Sequence, residues 1–182
     1  MFHFLFLRIN VLHSFLFQDK SLPKNTIESL FEDTIRTHFS NFFLIATDAS
    51  KSQQITSIAG TSSTSSFAYR LQHLNTIFSA EALALCQALD ELPNDEDILL
   101  LLTDSLSVLQ ALANLSIKSN KIILRLAAKI ATREKFHQNI VPFGHLGMLV
   151  LNGTKKPTIW LDGFQNPIST SNGLQSKISS RN

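Results

Sequence analysis

Three carboxylates in this chain stand in phrases that predict where each will sit. Asp48 ends Leu44-Ile45-Ala46-Thr47-Asp48, Glu81 lies within Ile77-Phe78-Ser79-Ala80-Glu81-Ala82-Leu83, and Asp104 ends Leu99-Leu100-Leu101-Leu102-Thr103-Asp104. Asp48 and Asp104 close strongly apolar runs, so each is expected where a buried strand reaches the surface. Glu81 is expected in the first turn of an amphipathic helix, with Ser79 as its N-cap. Strand end, helix start and strand end can gather three acids at one edge of a sheet. Acids packed that closely repel one another unless a divalent cation holds them together. Carboxylate oxygens suit Mg²⁺ or Mn²⁺, and a pair of such ions can stabilise the attacking and leaving oxygens of phosphodiester hydrolysis. The structural alternative makes Asp48 and Asp104 ordinary strand-end turn residues and Glu81 a helix acid favoured by the dipole.

The elements that must position these acids follow from the surrounding pattern. Residues 21–40 read first as a polar linker with Pro23, then as a weak helical pattern at Ile27, Leu30, Phe31 and Ile35. Strands are expected at Asn41 to Asp48, Gln54 to Gly60 and Ser66 to Leu71, close enough together for an antiparallel meander. The Glu81 helix offers Leu83, Leu85, Ala88, Leu89 and Leu92 to a core, and Pro93-Asn94-Asp95 ends it. Ile98 to Thr103 is uninterrupted aliphatic sequence, as expected of a strand covered on both faces. Helices from Ser105 to about Leu115 and from Ser119 to Phe136 precede a short strand at Asn139 to Val141. The order predicts an α/β domain with a mixed sheet flanked by helices.

Composition sets bounds. The chain has 182 residues, enough for one domain with flanking segments, and a formal net charge of only +2. Nucleic-acid contact therefore needs local clusters. One such cluster is Lys121, Arg125, Lys129 and Arg133, spaced every four residues along one face of the last helix. It can track a phosphate backbone without reading sequence, or it can be a solvated helix face. The single cysteine, Cys86, excludes an internal disulfide framework and fits a reducing, intracellular compartment. Residues 1–17 are rich in Phe and Leu, but Arg8, Asn10 and His13 interrupt them and no basic cluster precedes them. They are expected to be a leader rather than a signal peptide or membrane anchor.

Taken in order, Thr47-Asp48-Ala49-Ser50-Lys51, Tyr69-Arg70-Leu71, Ser79-Ala80-Glu81-Ala82-Leu83-Ala84 and Thr103-Asp104-Ser105-Leu106-Ser107-Val108-Leu109-Gln110 resemble the type 1 ribonuclease H domain. The version they resemble most is the one in reverse transcriptases of non-long-terminal-repeat retrotransposons. The resemblance covers about residues 42–148. It implies a ribonuclease H-like five-stranded mixed sheet over residues 41–148, after a leader and linker over 1–40. It also implies endonucleolytic hydrolysis of the RNA strand of an RNA–DNA hybrid with two Mg²⁺ ions, Mn²⁺ being the alternative. Asp48, Glu81 and Asp104 would be metal ligands, with Asp48 bridging. His145, in Pro142-Phe143-Gly144-His145, resembles the loop histidine that assists proton transfer or product release; alone it reads as an exposed loop histidine. The implied partner is the hybrid, with no membrane and no obligate protein partner. A proofreading-type exonuclease is disfavoured, because Asp48-Ala49-Ser50 lacks the Asp-x-Glu of that family.

The resemblance breaks at its fourth acid. That family continues with Gly-Asn-Glu-x-Ala-Asp-x-Leu-Ala, whose Asp completes the metal site, whereas no acid occurs here from Lys135 through Leu161. Its place falls near Lys155 or Lys156, and a lysine there repels Mg²⁺. Back-translation of Gly153 to Leu161, read from the last base of the glycine codon, can spell Asn-Glu-Glu-Ala-Asp-Tyr-Leu-Ala. The hypothesis is a frameshift between about His145 and Gly153, leaving residues 149–182 as an irregular, out-of-frame tail and the last helix degraded. Codons in the coding DNA that cannot give the alternative reading would end it. The competing expectation is thus a catalytically impaired remnant that keeps the fold and at most binds nucleic acid.

Overall fold

The computed structural model describes residues 22–92 and 96–144. Its elements in order are α1 (Lys24–His38), β1 (Phe43–Lys51), β2 (Thr56–Ser62), β3 (Ser66–Leu71), α2 (Ile77–Glu91), β4 (Ile98–Thr103), α3 (Leu106–Ala113), α4 (Lys121–Lys135) and β5 (Asn139–Gly144). The five strands form one sheet in the order β3-β2-β1-β4-β5. β1, β2 and β3 pair antiparallel, while β4 runs parallel to both β1 and β5. This is the five-stranded mixed sheet with flanking helices that the sequence predicts, and it is consistent with a ribonuclease H-like fold.

Each strand buries what its pattern demands. β4 has no polar side chain before Thr103, and Leu99, Leu100, Leu101 and Leu102 are all essentially inaccessible. Its alternate residues serve two cores. Leu99 and Leu101 meet Ile45, Ala49, Ile58, Phe67 and the buried faces of α2, α3 and α4. Leu100 and Leu102 meet Phe31, Phe39, Ala46, Val141 and Phe143 on the other side. The sheet is therefore a middle layer, which is why β4, covered on both faces, tolerates no alternation. On the α2 side, Gly60 lies so close to the Phe67 ring that a Cβ there would stand 2.3 Å from Cε1. Pro142 sits in β5, which pairs only with β4 among the described residues, so the missing amide costs no internal ladder bond.

Several boundaries differ from expectation for local reasons. β1 does not stop at Asp48; it continues to Lys51, because β2 goes on pairing through Lys51 opposite Thr56 after the apolar run has ended. The cap of α2 is Thr76 rather than Ser79: the Thr76 hydroxyl accepts the Ser79 amide at 3.1 Å. That lengthens the helix toward the chain start and moves Glu81 out of the first turn into the second. The dipole explanation for Glu81 loses most of its force there, since the effect fades within one turn. α4 begins after Asn120, whose side chain accepts the Ile122 amide, and ends with His137 at φ 65°, a left-handed residue closing the helix.

The weak helical pattern at Ile27, Leu30, Phe31 and Ile35 is a helix: residues 24–38 form α1, and its Phe31 is buried with Phe39 in the second core. Ile27, Leu30 and Ile35 pack around them. The sequence signal was weak because α1 is short of apolar residues and starts without a side-chain cap. The strand face it meets supplies the missing drive. Residues 1–21, His145, Lys155, Lys156 and the expected degraded helix and tail over 149–182 lie outside the described residues, as does Pro93-Asn94-Asp95. No helix among the described residues is long and apolar enough to cross a membrane.

Candidate metal centre

The three predicted acids meet. One carboxylate oxygen from each of Asp48, Glu81 and Asp104 lies within 4.8 Å of the others. Three local devices produce the convergence. The parallel ladder between β1 and β4 ends at Ala46 opposite Leu102, so Asp48 and Asp104 both lie just beyond its last rung. Thr47, next to Asp48, donates its buried hydroxyl to the Leu102 carbonyl at 3.2 Å and clips the two strand ends together. After β4 the chain turns at once: the Leu106 amide donates to the Asp104 carbonyl and the Ser105 amide to the Thr103 hydroxyl. α2 then brings Glu81 down onto them. Its Ala80, Ala84 and Ala88 are wholly buried, and such small residues let the helix approach the sheet closely.

The environments of the acids are unequal. Asp104 is exposed, Asp48 is half-buried, and Glu81 is only 6 % exposed. Burial, then the charge of Asp104, pushes the Asp48 carboxyl up to about 6, although the Ala49 backbone amide favours its ionised form. Burial pushes Glu81 higher, to about 8, with Asp104 and Asp48 adding to the effect and the Ala49 amide opposing it. Glu81 Oε2 is buried without a hydrogen-bond partner. A buried acceptor normally has a donor, so an orphaned carboxylate oxygen on one of three clustered acids is a group that a cation could satisfy. The donor set, all oxygen and all carboxylate, fits a hard divalent ion. Asp48, Glu81 and Asp104 can therefore hold a metal ion; among the described residues this is the one group of three or more potential ligands so placed.

Cation binding at this site must release protons, because a ligand carboxyl has to be ionised. Glu81 stays largely protonated in the metal-free protein until the pH passes about 8, and Asp48 until it passes about 6. Apparent affinity for a divalent cation should therefore rise about tenfold per pH unit between pH 6 and 8, more steeply below 6, and level off above 8. Titration calorimetry in buffers of different ionisation enthalpy measures both the affinity and the protons released. Affinity independent of pH across this window would remove Glu81 from the ligand set.

The basic stripe of α4 is only partly available. Lys129 pairs with Asp90 of α2, and Arg133 donates to the Leu89 carbonyl and to Gln138 Oε1. Gln138 in turn donates to the Glu96 carbonyl. These two cations fasten α4 to the end of α2, because the stripe flanks the face that packs on α2 rather than pointing straight into solvent. Lys121 and Arg125 remain exposed. On the other side of α4, Ile123, Leu126 and Ile130 are buried in the core. Cys86 is buried in the same seam, and burial pushes its thiol up to about 11 against the lowering pull of Arg125 and Lys129, so it packs as an apolar residue. Sequence reasoning missed Thr47 and the orphaned oxygen of Glu81. The first was visible only as a threonine in an apolar run, and the second depends on helix placement.

Comparison with protein-family models and with curated protein sequences finds no match to this chain.

Proposed function

We propose that this chain is a divalent-cation-dependent nuclease domain that hydrolyses the RNA strand of RNA–DNA hybrids, with Mg²⁺ as the working ion and the cell interior as its setting. The observation that carries the reading is the convergence of Asp48, Glu81 and Asp104 within 4.8 Å at the end of a five-stranded mixed sheet. The ordered resemblance of their phrases to type 1 ribonuclease H supplies the substrate class. Bound there, Mg²⁺ would supply a water nucleophile at neutral pH and neutralise charge on the leaving 3′ oxygen.

The protein's own groups divide the remaining work. Asp48, on the central strand and fixed through Thr47, sets the position of the site relative to the sheet. Glu81, held by a buried helix, provides a buried oxygen that no protein donor satisfies. Asp104 is exposed and so faces the side from which a phosphate arrives. The exposed Lys121 and Arg125 are the members of the α4 stripe free to meet a phosphate backbone. In this reading His145 assists proton transfer or product release, as the resemblance implies.

The test is cleavage of a labelled hybrid by the purified full chain with Mg²⁺, beside duplex RNA, duplex DNA and an Asp104→Asn control. The expected result is hybrid-selective cleavage that the control lowers by about a thousandfold. Equal cleavage by the control would assign the activity elsewhere. A second reading, an impaired remnant, is favoured by the absence of any acid from Lys135 through Leu161. It predicts hybrid binding without turnover, and Lys155→Asp or Lys156→Asp as the variant that restores cleavage.

A further inference from the structure

Asp48 and Asp104 each follow a threonine, and both threonines are buried: Thr47 is 5 % exposed and Thr103 is wholly inaccessible. A buried hydroxyl costs free energy unless it finds a partner. Both do, and both partners belong to the backbone that carries Asp104. The Thr47 hydroxyl donates across the sheet to the Leu102 carbonyl at 3.2 Å, just before Asp104. The Thr103 hydroxyl accepts the Ser105 amide at 3.2 Å, directly after it. The ladder between β1 and β4 stops at Ala46 opposite Leu102, short of both acids. Continued one step, the same register sets Thr47 beside Thr103, and a further step sets Asp48 beside Asp104. The hydroxyl bonds of the two threonines thus take over where the main-chain ladder ends.

We propose that Thr47 and Thr103 are positioning residues that hold Asp104 within reach of Asp48 and Glu81, so that a divalent cation meets a site already assembled. The proposal rests on the metal centre described above and on no particular substrate. The grip acts against a definite force. Without a cation, ionised carboxylates within 4.8 Å of one another repel, and the exposed Asp104 has the most room to withdraw. Each hydroxyl is committed to the backbone, so the threonines act through Asp104 and not as ligands themselves. Outer groups that orient metal ligands in this way typically contribute about ten- to hundredfold in affinity. A purely structural role would satisfy the same backbone groups without touching the metal. Positioning is favoured because both hydroxyls converge on one short segment, Leu102 to Ser105, and that segment carries the least buried of the three acids.

The test is Mn²⁺ binding to the full chain at pH 8, with thermal unfolding of the metal-free protein measured beside it. Thr47→Val and Thr103→Val keep the side-chain shape and remove the hydroxyl. Each is expected to weaken Mn²⁺ binding about tenfold or more, and Thr47→Ser and Thr103→Ser to restore it to within about threefold of wild type. In an Asp104→Ala background the same valine substitutions should change affinity by less than about twofold, because the group they position is gone. Should one valine variant fail to fold, the other carries the same comparison. Valine variants that unfold at lower temperature yet bind Mn²⁺ like wild type while folded would overturn the proposal; if Asp104→Ala still weakens binding, the metal centre stands. Equal losses with and without Asp104 would also overturn it. A folded wild type that binds no Mn²⁺ would overturn the metal centre and this proposal together.

Discussion

Glu81→Gln should make the metal-free protein more stable at pH 8.5 and remove the stabilisation expected of the wild type with Mg²⁺. The sign follows from linkage. Folding raises the Glu81 carboxyl from 4.5 to about 8 and the Asp48 carboxyl from 3.8 to about 6. The folded state therefore holds protons that the unfolded chain has lost. The resulting stability is fully present below about pH 4 and is lost as pH climbs, through about 6 for Asp48 and through about 8 for Glu81. At pH 8.5 the metal-free wild type carries a buried charge beside two other acids, while glutamine carries none. Relief of that charge should be worth about 2–3 kcal/mol, or roughly 5–10 °C in the unfolding midpoint. At pH 5, where Glu81 is protonated anyway, the two proteins should unfold within a degree or two of each other. Millimolar Mg²⁺ should raise the wild-type midpoint at pH 8.5 and leave Glu81→Gln nearly unmoved. Differential scanning calorimetry at the two pH values, with and without Mg²⁺, gives all four comparisons. A glutamine variant less stable than wild type at pH 8.5 without metal would mean that Glu81 is an ordinary structural acid.

Phe31→Ala should destabilise the fold by about 3–5 kcal/mol, as deletion of a fully buried aromatic side chain does. Phe31 is 2 % exposed and packs with Phe39, Ala46, Leu100, Leu102, Val141 and Phe143. Phe39 adds edge-to-face contacts with Phe42 and with Phe143, at ring separations of 5.2 and 5.3 Å. The expected consequence extends to the carboxylates. Leu100 and Leu102 belong both to this core and to β4, the strand that leads into Asp104, so loosening α1 should free the β4 terminus. Denaturant unfolding of Phe31→Ala, beside Leu74→Ala as an exposed control expected to change stability by less than about 0.5 kcal/mol, measures the effect. A Phe31 variant as stable as the control would return residues 24–38 to the role of a linker.

The contrast between these two regions explains what the sequence could and could not disclose. The acids were legible because each sits beside a pattern with one physical meaning. A run of four leucines can hardly be anything but a doubly covered strand, and it delivers Asp104 to the strand's end. The pairing of β1 beyond Asp48 was not legible, because backbone hydrogen bonding to β2 continues through Ser50 and Lys51 without help from apolar side chains. Helix α1 shows only as a weak pattern in the sequence for a related reason. Its burial depends on Phe31 meeting residues from β1, β4 and β5, contacts that no local window contains. The α4 stripe misled in the opposite direction: a regular spacing of cations was visible, but not that Asp90 and the Leu89 carbonyl would claim two of them.

The most direct test of the carboxylate centre is Mn²⁺ binding followed by electron paramagnetic resonance on the full chain at pH 8. Mn²⁺ serves as the probe because it takes the same oxygen ligands as Mg²⁺ and its bound and free forms are distinguishable. The wild type is expected to bind Mn²⁺ saturably, in competition with Mg²⁺, and Asp48→Asn, Glu81→Gln and Asp104→Asn should each weaken that binding at least tenfold. Binding that all three substitutions leave unchanged, or no binding by the folded wild type, would contradict the assignment of Asp48, Glu81 and Asp104 as a metal centre.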